Sequence, residues 1–147
     1  MKLDTLLHGE WLKDQQPVLN VGPKGAWDDL MVDCPCVFSH QSGEYLLFYT
    51  GHNSRNRDWG IGCARSKDLM HWIKDRNNPI LPLEKSSGWG KRIDGTSVLT
   101  SGGKFYLFFE AVLDRSVSLT RWFVDITPCF LRRWGGYCKR RVERFVG

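Results

Sequence analysis

A segment of about sixty residues occurs nearly twice along this chain, and it constrains the fold more than any other feature. Trp11-Leu-Lys-Asp14 precedes Pro17-Val-Leu19, and Trp72-Ile-Lys-Asp75 precedes Pro79-Ile-Leu81, an offset of 61 at the Trp and 62 at the Pro. Gly25-Ala-Trp27 then matches Ser87-Gly-Trp89, and Asp33 matches Asp94. Each Asp leads into a short apolar stretch, Val37-Phe38 or Val98-Leu99. A turn follows, His40–Gly43 or Ser101–Gly103, and then an aromatic run, Tyr45–Tyr49 or Phe105–Phe109. Ordered matches at a fixed period mean one supersecondary unit built twice.

Within the unit the pattern is that of sheet. Residues 32–38 read as a first strand, and Gly43 supplies the positive φ of a hairpin. Residues 44–50 read as a second strand, apolar on both faces and so buried on both. Residues 51–58 are a polar loop, and 59–64 are a third strand whose glycines permit close backbone approach. Met70–Lys74 completes a fourth. Four antiparallel strands in a repeat of this length predict an all-β fold, a partial β-propeller of about two four-stranded blades. Residues 1–113 then hold the last strand of one blade, a complete blade and the first half of the next. A β-sandwich also accommodates regular short strands, but gives no reason for the same Trp, Pro and Asp to return. An aromatic content of 13% suits sheets, where flat rings pack between strands.

The net charge of +5 raises the question of nucleic acid, and its distribution answers it. Residues 114–147 hold eight Lys and Arg against three acids and so carry the entire excess, whereas 1–113 balance thirteen of each. No nucleic-acid partner is expected of the body. The repeat also breaks after Ala111, where Ser118–Pro128 shows no second Ser-Lys-Asp corner. Residues 114–147 are therefore expected to be a divergent basic tail. A nucleic-acid or membrane-binding arm, a divergent or disordered blade, and a shifted reading frame are its three readings. The start of the chain shows no secretory signal, and no segment reaches the length of a membrane span, which predicts a cytoplasmic chain without a membrane partner. Five irregularly spaced Cys and scattered His8, His40 and His71 predict no metal site. Cys34 and Cys36 would share one strand face.

Two strings resemble the blades of the five-bladed glycoside hydrolases of families 43 and 32. One is Trp27…Asp33-Cys-Pro35…Gly43-Glu-Tyr45-Leu-Leu-Phe-Tyr49-Thr-Gly51. The other is Gly60-Ile-Gly-Cys-Ala-Arg-Ser66-Lys-Asp68-Leu-Met-His-Trp72 with Asn78-Pro79-Ile80-Leu81. The resemblance spans about residues 11–111. In the second string Ser66 and Asp68 are suited to bond the turn backbone, and Trp72 to pack between sheets.

Glycoside hydrolysis uses two carboxylates across the scissile bond. The resemblance implies that Asp33 is base or nucleophile and that Asp94 is its tuning or transition-state partner. The alternative for a repeated Asp is a turn cap. Glu110, which replaces Thr50 of the first repeat, is the candidate acid within this chain. In the resembled enzymes a later blade supplies the acid, so the catalytic set is expected to be incomplete here. His52, Asn53, Arg55 and Trp59, on and beside the long loop, are the candidate sugar contacts. A carbohydrate substrate, acid/base chemistry and no cofactor are implied. A non-enzymatic propeller module that binds carbohydrate or protein is the competing function. The oligomeric state is not legible.

Overall fold

The computed structural model describes residues 14–40, 42–82, 92–112, 119–125 and 142–144. All their regular structure is β-strand, and none of it is a helix long and apolar enough to cross a membrane. In chain order the strands are β1 (Met31–Ser39), β2 (Tyr45–His52), β3 (Trp59–Ser66), β4 (Ile73–Lys74), β5 (Leu81–Pro82), β6 (Arg92–Ser101), β7 (Lys104–Val112), β8 (Leu119–Asp125) and β9 (Val142–Arg144). They form two antiparallel sheets, β1-β2-β3-β4 with β5 also on β3, and β6-β7-β8-β9. Neither sheet closes on itself.

The two sheets begin alike. Asp33 of β1 stands opposite Thr50 of β2, and Asp94 of β6 opposite Glu110 of β7. One extra residue follows each Asp, so each first strand carries a bulge at the same place. Cys34 (φ 47) and Gly95 (φ 59) hold the left-handed position there. The bulge breaks the two-residue alternation on which the shared face of Cys34 and Cys36 depended. The hairpins turn on Gly43 in the first sheet and on Gly102-Gly103, both at positive φ, in the second.

β2 is buried on both faces, as its composition requires. Leu46, Phe48, Thr50 and His52 occupy what is here called the front, and Leu47 and Tyr49 the back. The front of the first sheet packs on Leu107, Phe109 and Ala111 of the second, and Ile80, Leu81 and Ile93 complete that core. Phe38 meets Phe105 edge-on there, with ring centres 5.8 Å apart. Each fully buried side chain of this kind stabilises by about 1.5–3 kcal/mol. In the repeat, Leu46, Phe48 and Thr50 correspond to Tyr106, Phe108 and Glu110, which lie on the opposite face of β7 from Leu107, Phe109 and Ala111. The sheets therefore stack front to back, in the same sense.

The back of the first sheet is covered by the chain before β1. Trp27 lies over Gly51, Gly60 and Gly62, and its ring centre is 5.6 Å from that of Tyr49. A Cβ on Gly62 would fall 2.7 Å from both rings, so the glycines of β3 make the close approach the sequence predicts. Beside Trp27, the buried Asp28 accepts from Lys74 Nζ at 2.5 Å and from Tyr49 Oη at 3.2 Å.

The fourth strand is shorter than the expected Met70–Lys74. Asp68 Oδ1 takes the N–H groups of Met70 and His71, and Ser66 Oγ takes those of Asp68 and Leu69, so these donors serve a turn instead of a ladder. The corner thus bonds as the sequence predicts. Trp72 differs: it packs on the back of the first sheet with Leu19, Trp27 and Val32, not between the two sheets. Its Nε1 donates to Leu69 O, which fixes the indole beside that face. The remaining length of β3 is paired by β5, at Gly60 and Ile61.

β8 lies within the segment that the sequence separates from the body. It pairs with β7 in the register that β3 has with β2, Glu110 standing opposite Arg121 as Thr50 stands opposite Ile61. The positions of Gly60 and Gly62 are held there by Thr120 and Trp122. Trp11, Trp89, Cys129 and Cys138 lie outside the described residues.

Candidate functional site

The bulges bring the two sequence-predicted aspartates to neighbouring strands. Thr96 Oγ1, just past the bulge of β6, donates to the carbonyl of Cys34, within the bulge of β1, at 2.9 Å. Asp33 and Asp94 each stand immediately before these joined segments. The hydroxyl of the fully buried Thr50 donates to Asp33 Oδ1 and, at 3.2 Å, to the Asp33 carbonyl. Asp33 is half-exposed above it.

Asp94, Glu110 and Arg121 form a row across β6, β7 and β8 by register. Glu110 itself is half-buried. Thr50 faces the second sheet, whereas Glu110 lies on the face of β7 opposite Leu107, Phe109 and Ala111. The fold thus brings Asp94 to Glu110 in one row and joins Asp33 to Asp94 through the backbone of the bulges.

The predicted sugar contacts fall at the end of β2 and the start of β3. His52 is 8% exposed and stacks on Trp59, with ring centres 4.3 Å apart and planes 18° from parallel. Its Nε2 is buried without a hydrogen-bond partner. The Arg92 guanidinium lies 5.6 Å from the Trp59 ring centre, within cation–π range. His52 follows Thr50 by two residues on the same face, about 7 Å along the strand.

Asn53 and Arg55 sit in the loop. Asn53 Nδ2 donates to Ala26 O at 2.6 Å, and Oδ1 accepts from the N–H groups of Arg55 (2.8 Å) and Asn56 (3.2 Å). Its amide is thus engaged in closing the loop. Asp29 ties the loop from the other side, accepting from Ser54 N (2.6 Å), Ser54 Oγ (2.8 Å) and Gly25 N (2.7 Å). Those N–H groups, Gly25 first, hold the Asp29 carboxyl below its ordinary range. Arg55 is exposed.

Sequence reasoning missed three contributors. Thr50 drew attention only as the counterpart of Glu110, although register places it directly beneath Asp33. Arg92 precedes the second repeat's strand without a motif. The group of Asp28, Lys74 and Tyr49 spans 46 residues, too far for local pattern to reveal. Burial, followed by the negative charge of Asp28, pushes the Tyr49 phenol far above its ordinary range.

Among the described residues, no three His, Cys, Asp or Glu side chains converge as metal ligands, and Cys34, Cys36 and Cys63 are free thiols. Neither a protein-family model nor a curated protein matches the chain.

Proposed function

We propose that the chain is a glycoside-hydrolase-like propeller portion that acts on the O-glycosidic bonds of an oligo- or polysaccharide through carboxylate chemistry. The joined bulges carry this reading. Two aspartates at equivalent positions stand on adjacent strands, tied by the bond from Thr96 to Cys34. Bulges re-aim side chains and concentrate beside active sites, and the non-glycine Cys34 at positive φ is the kind of strain such sites hold. In this reading each sheet is a blade, the first strands line an axis, and Asp33 acts as base or nucleophile with Asp94 as partner. Glu110, opposite Asp94, is the candidate acid. His52 and Trp59, joined by ring stacking and with Arg92 over the indole, lie at one end of the same strands and are the sugar contacts of this reading.

The test is hydrolysis of chromogenic arabinosides, xylosides, fructosides and mannosides by the chain. On any accepted substrate, Asp33→Asn is expected to lower the rate by about 10²–10⁴-fold. Full activity in both Asp33→Asn and Asp94→Asn, with the fold retained, would overturn the assignment.

A second reading is favoured by the bond from Thr50 to Asp33: the aspartate is then a strand lock in a non-enzymatic module that binds carbohydrate or protein. Glycan binding by calorimetry without turnover of any substrate, and unchanged by Asp33→Asn, supports that reading instead.

A further inference from the structure

We propose that the groove on the back of the first sheet binds a small organic ammonium ion, an apolar body carrying one positive charge. The inference rests on the groove and on Asp33 in its lining, and stands whether or not Asp33 takes part in hydrolysis.

The groove has a volume of about 430 Å³, within the usual range of small-molecule sites. Its lining includes the buried Leu47 and Tyr49, and also Val18, Val37 and Leu69, which are 46%, 54% and 42% exposed. Large apolar side chains gathered together and left in water mark a binding surface. Trp72 lines the groove as well, its indole held by the bond from Nε1 to Leu69 O. Leu69 stands at a φ of 67, a left-handed conformation that a bulky side chain rarely adopts. It is fixed there from both sides, since its N–H donates to Ser66 Oγ at 2.9 Å and its carbonyl accepts from Trp72. Backbone strain over-determined by its neighbours in this way collects at ligand clamps.

Charge then selects the ligand. Among the described residues that line the groove, Asp33 alone carries a charge. Its Oδ1 and its carbonyl accept from the Thr50 hydroxyl, and no Lys, Arg or His pairs with it among the described residues. Thr50 is neutral, so it leaves the carboxylate without a counter-charge. Apolar walls hold back the water that would otherwise screen that charge, and the groove is negative. An anion is repelled there. A neutral apolar molecule gains only from burial, and a small hydrated cation makes no use of the walls. An alkyl or arylalkyl ammonium uses both, with its body on Leu47, Tyr49 and Trp72 and its N–H groups donating to Asp33.

Calorimetric titration of the whole chain near neutral pH tests this with three probes of one shape: phenylbutylammonium, phenylbutanol and phenylbutyrate. The ammonium is expected to bind with a Kd of about 10 µM to 1 mM, and the alcohol about tenfold more weakly. Phenylbutyrate, and methylammonium with the charge but no body, are expected not to bind. Asp33→Asn should bring the ammonium down to the affinity of the alcohol and leave the alcohol unchanged. Asn can still accept from Thr50, which preserves that contact. Leu69→Gly relieves the backbone and removes a wall, so it should weaken ammonium and alcohol alike by about three- to tenfold. A retained β-sheet circular dichroism spectrum checks the fold of each variant. An ammonium that does not bind up to about 10 mM overturns the proposal. So does equal affinity for the three shape-matched probes, which marks an apolar surface for another occupant such as a protein. A preference for the ammonium that persists in Asp33→Asn, or affinities untouched by Leu69→Gly, places the binding elsewhere and overturns it too.

Discussion

The Thr96 hydroxyl donates to the Cys34 carbonyl at 2.9 Å, joining the bulge of β6 to the bulge of β1. These residues are 62 apart in sequence, one repeat length, and each lies on the far side of its own aspartate. The bond therefore links the two copies of the repeat at the place where each bends its first strand.

The two bulges make the same backbone shape with different residues. Gly95 adopts its φ of 59 without a Cβ, whereas Cys34 adopts 47 with one. Cys34→Gly is expected to stabilise the chain by about 0.5–1 kcal/mol, after the entropy glycine adds to the unfolded state. A higher urea midpoint at unchanged slope would show it; a lower midpoint would mean that the thiol packs more usefully than the strain costs.

Lys74 is the cation facing the buried Asp28 carboxylate, 2.5 Å away, and a quarter of its side chain reaches solvent. Removing one member of such a pair strands the other. Lys74→Met is expected to cost about 2–4 kcal/mol, below the full range for completely buried pairs because Lys74 is partly wet. Adding Asp28→Asn should recover part of the loss. Strictly additive losses in the double variant would refute the coupling.

Trp27 needs a floor without side chains. Gly62→Ala places a methyl group 2.7 Å from Trp27 Cζ2 and Tyr49 Cζ, and an overpacking cost of about 1–3 kcal/mol follows. A smaller side chain at position 27 should tolerate it, so the cost is expected to shrink in a Trp27→Leu background. Urea unfolding of the four proteins in the cycle measures this.

Asp68, together with Asp29, is expected to shape the acid limb of the stability curve, and Tyr49 the alkaline limb. The His71 side chain first, then the His71 and Met70 N–H groups and the Ser66 hydroxyl, hold the Asp68 carboxyl well below its ordinary 3.8. Its contribution is complete above pH 3.8 and is lost as pH falls from there toward the lower folded value. Tyr49 is raised above its ordinary 10.0, so its contribution is complete below pH 10 and declines as pH rises beyond it. In thermal melts, Asp68→Asn should flatten the acid limb below about pH 4 and Tyr49→Phe the alkaline limb above about pH 10. Limbs unchanged in these variants would assign the pH dependence to other groups.

The sequence by itself determined what depends on local pattern. Strict repetition set the strand order, Gly43 and Gly102-Gly103 set the hairpins, and the unbroken apolar run of β2 required cover on both faces. The polar spacing of Ser66 and Asp68 sufficed to foresee their turn. Candidate aspartates were legible as a recurring residue before each strand, but their surroundings were not. Whether Asp33 meets a hydroxyl depends on which residue of the partner strand falls opposite, and the two repeats differ there, with Thr50 opposite Asp33 and Glu110 opposite Asp94. Likewise, periodicity says that β7 has two apolar faces without saying which one meets β2. Only the tertiary structure decided that the back of the second sheet lies on the front of the first, that Trp72 goes to the outer face, and that Lys74 returns to Asp28. Those choices are made by side chains far apart in the chain competing to exclude water and satisfy charge, and no local window holds both partners.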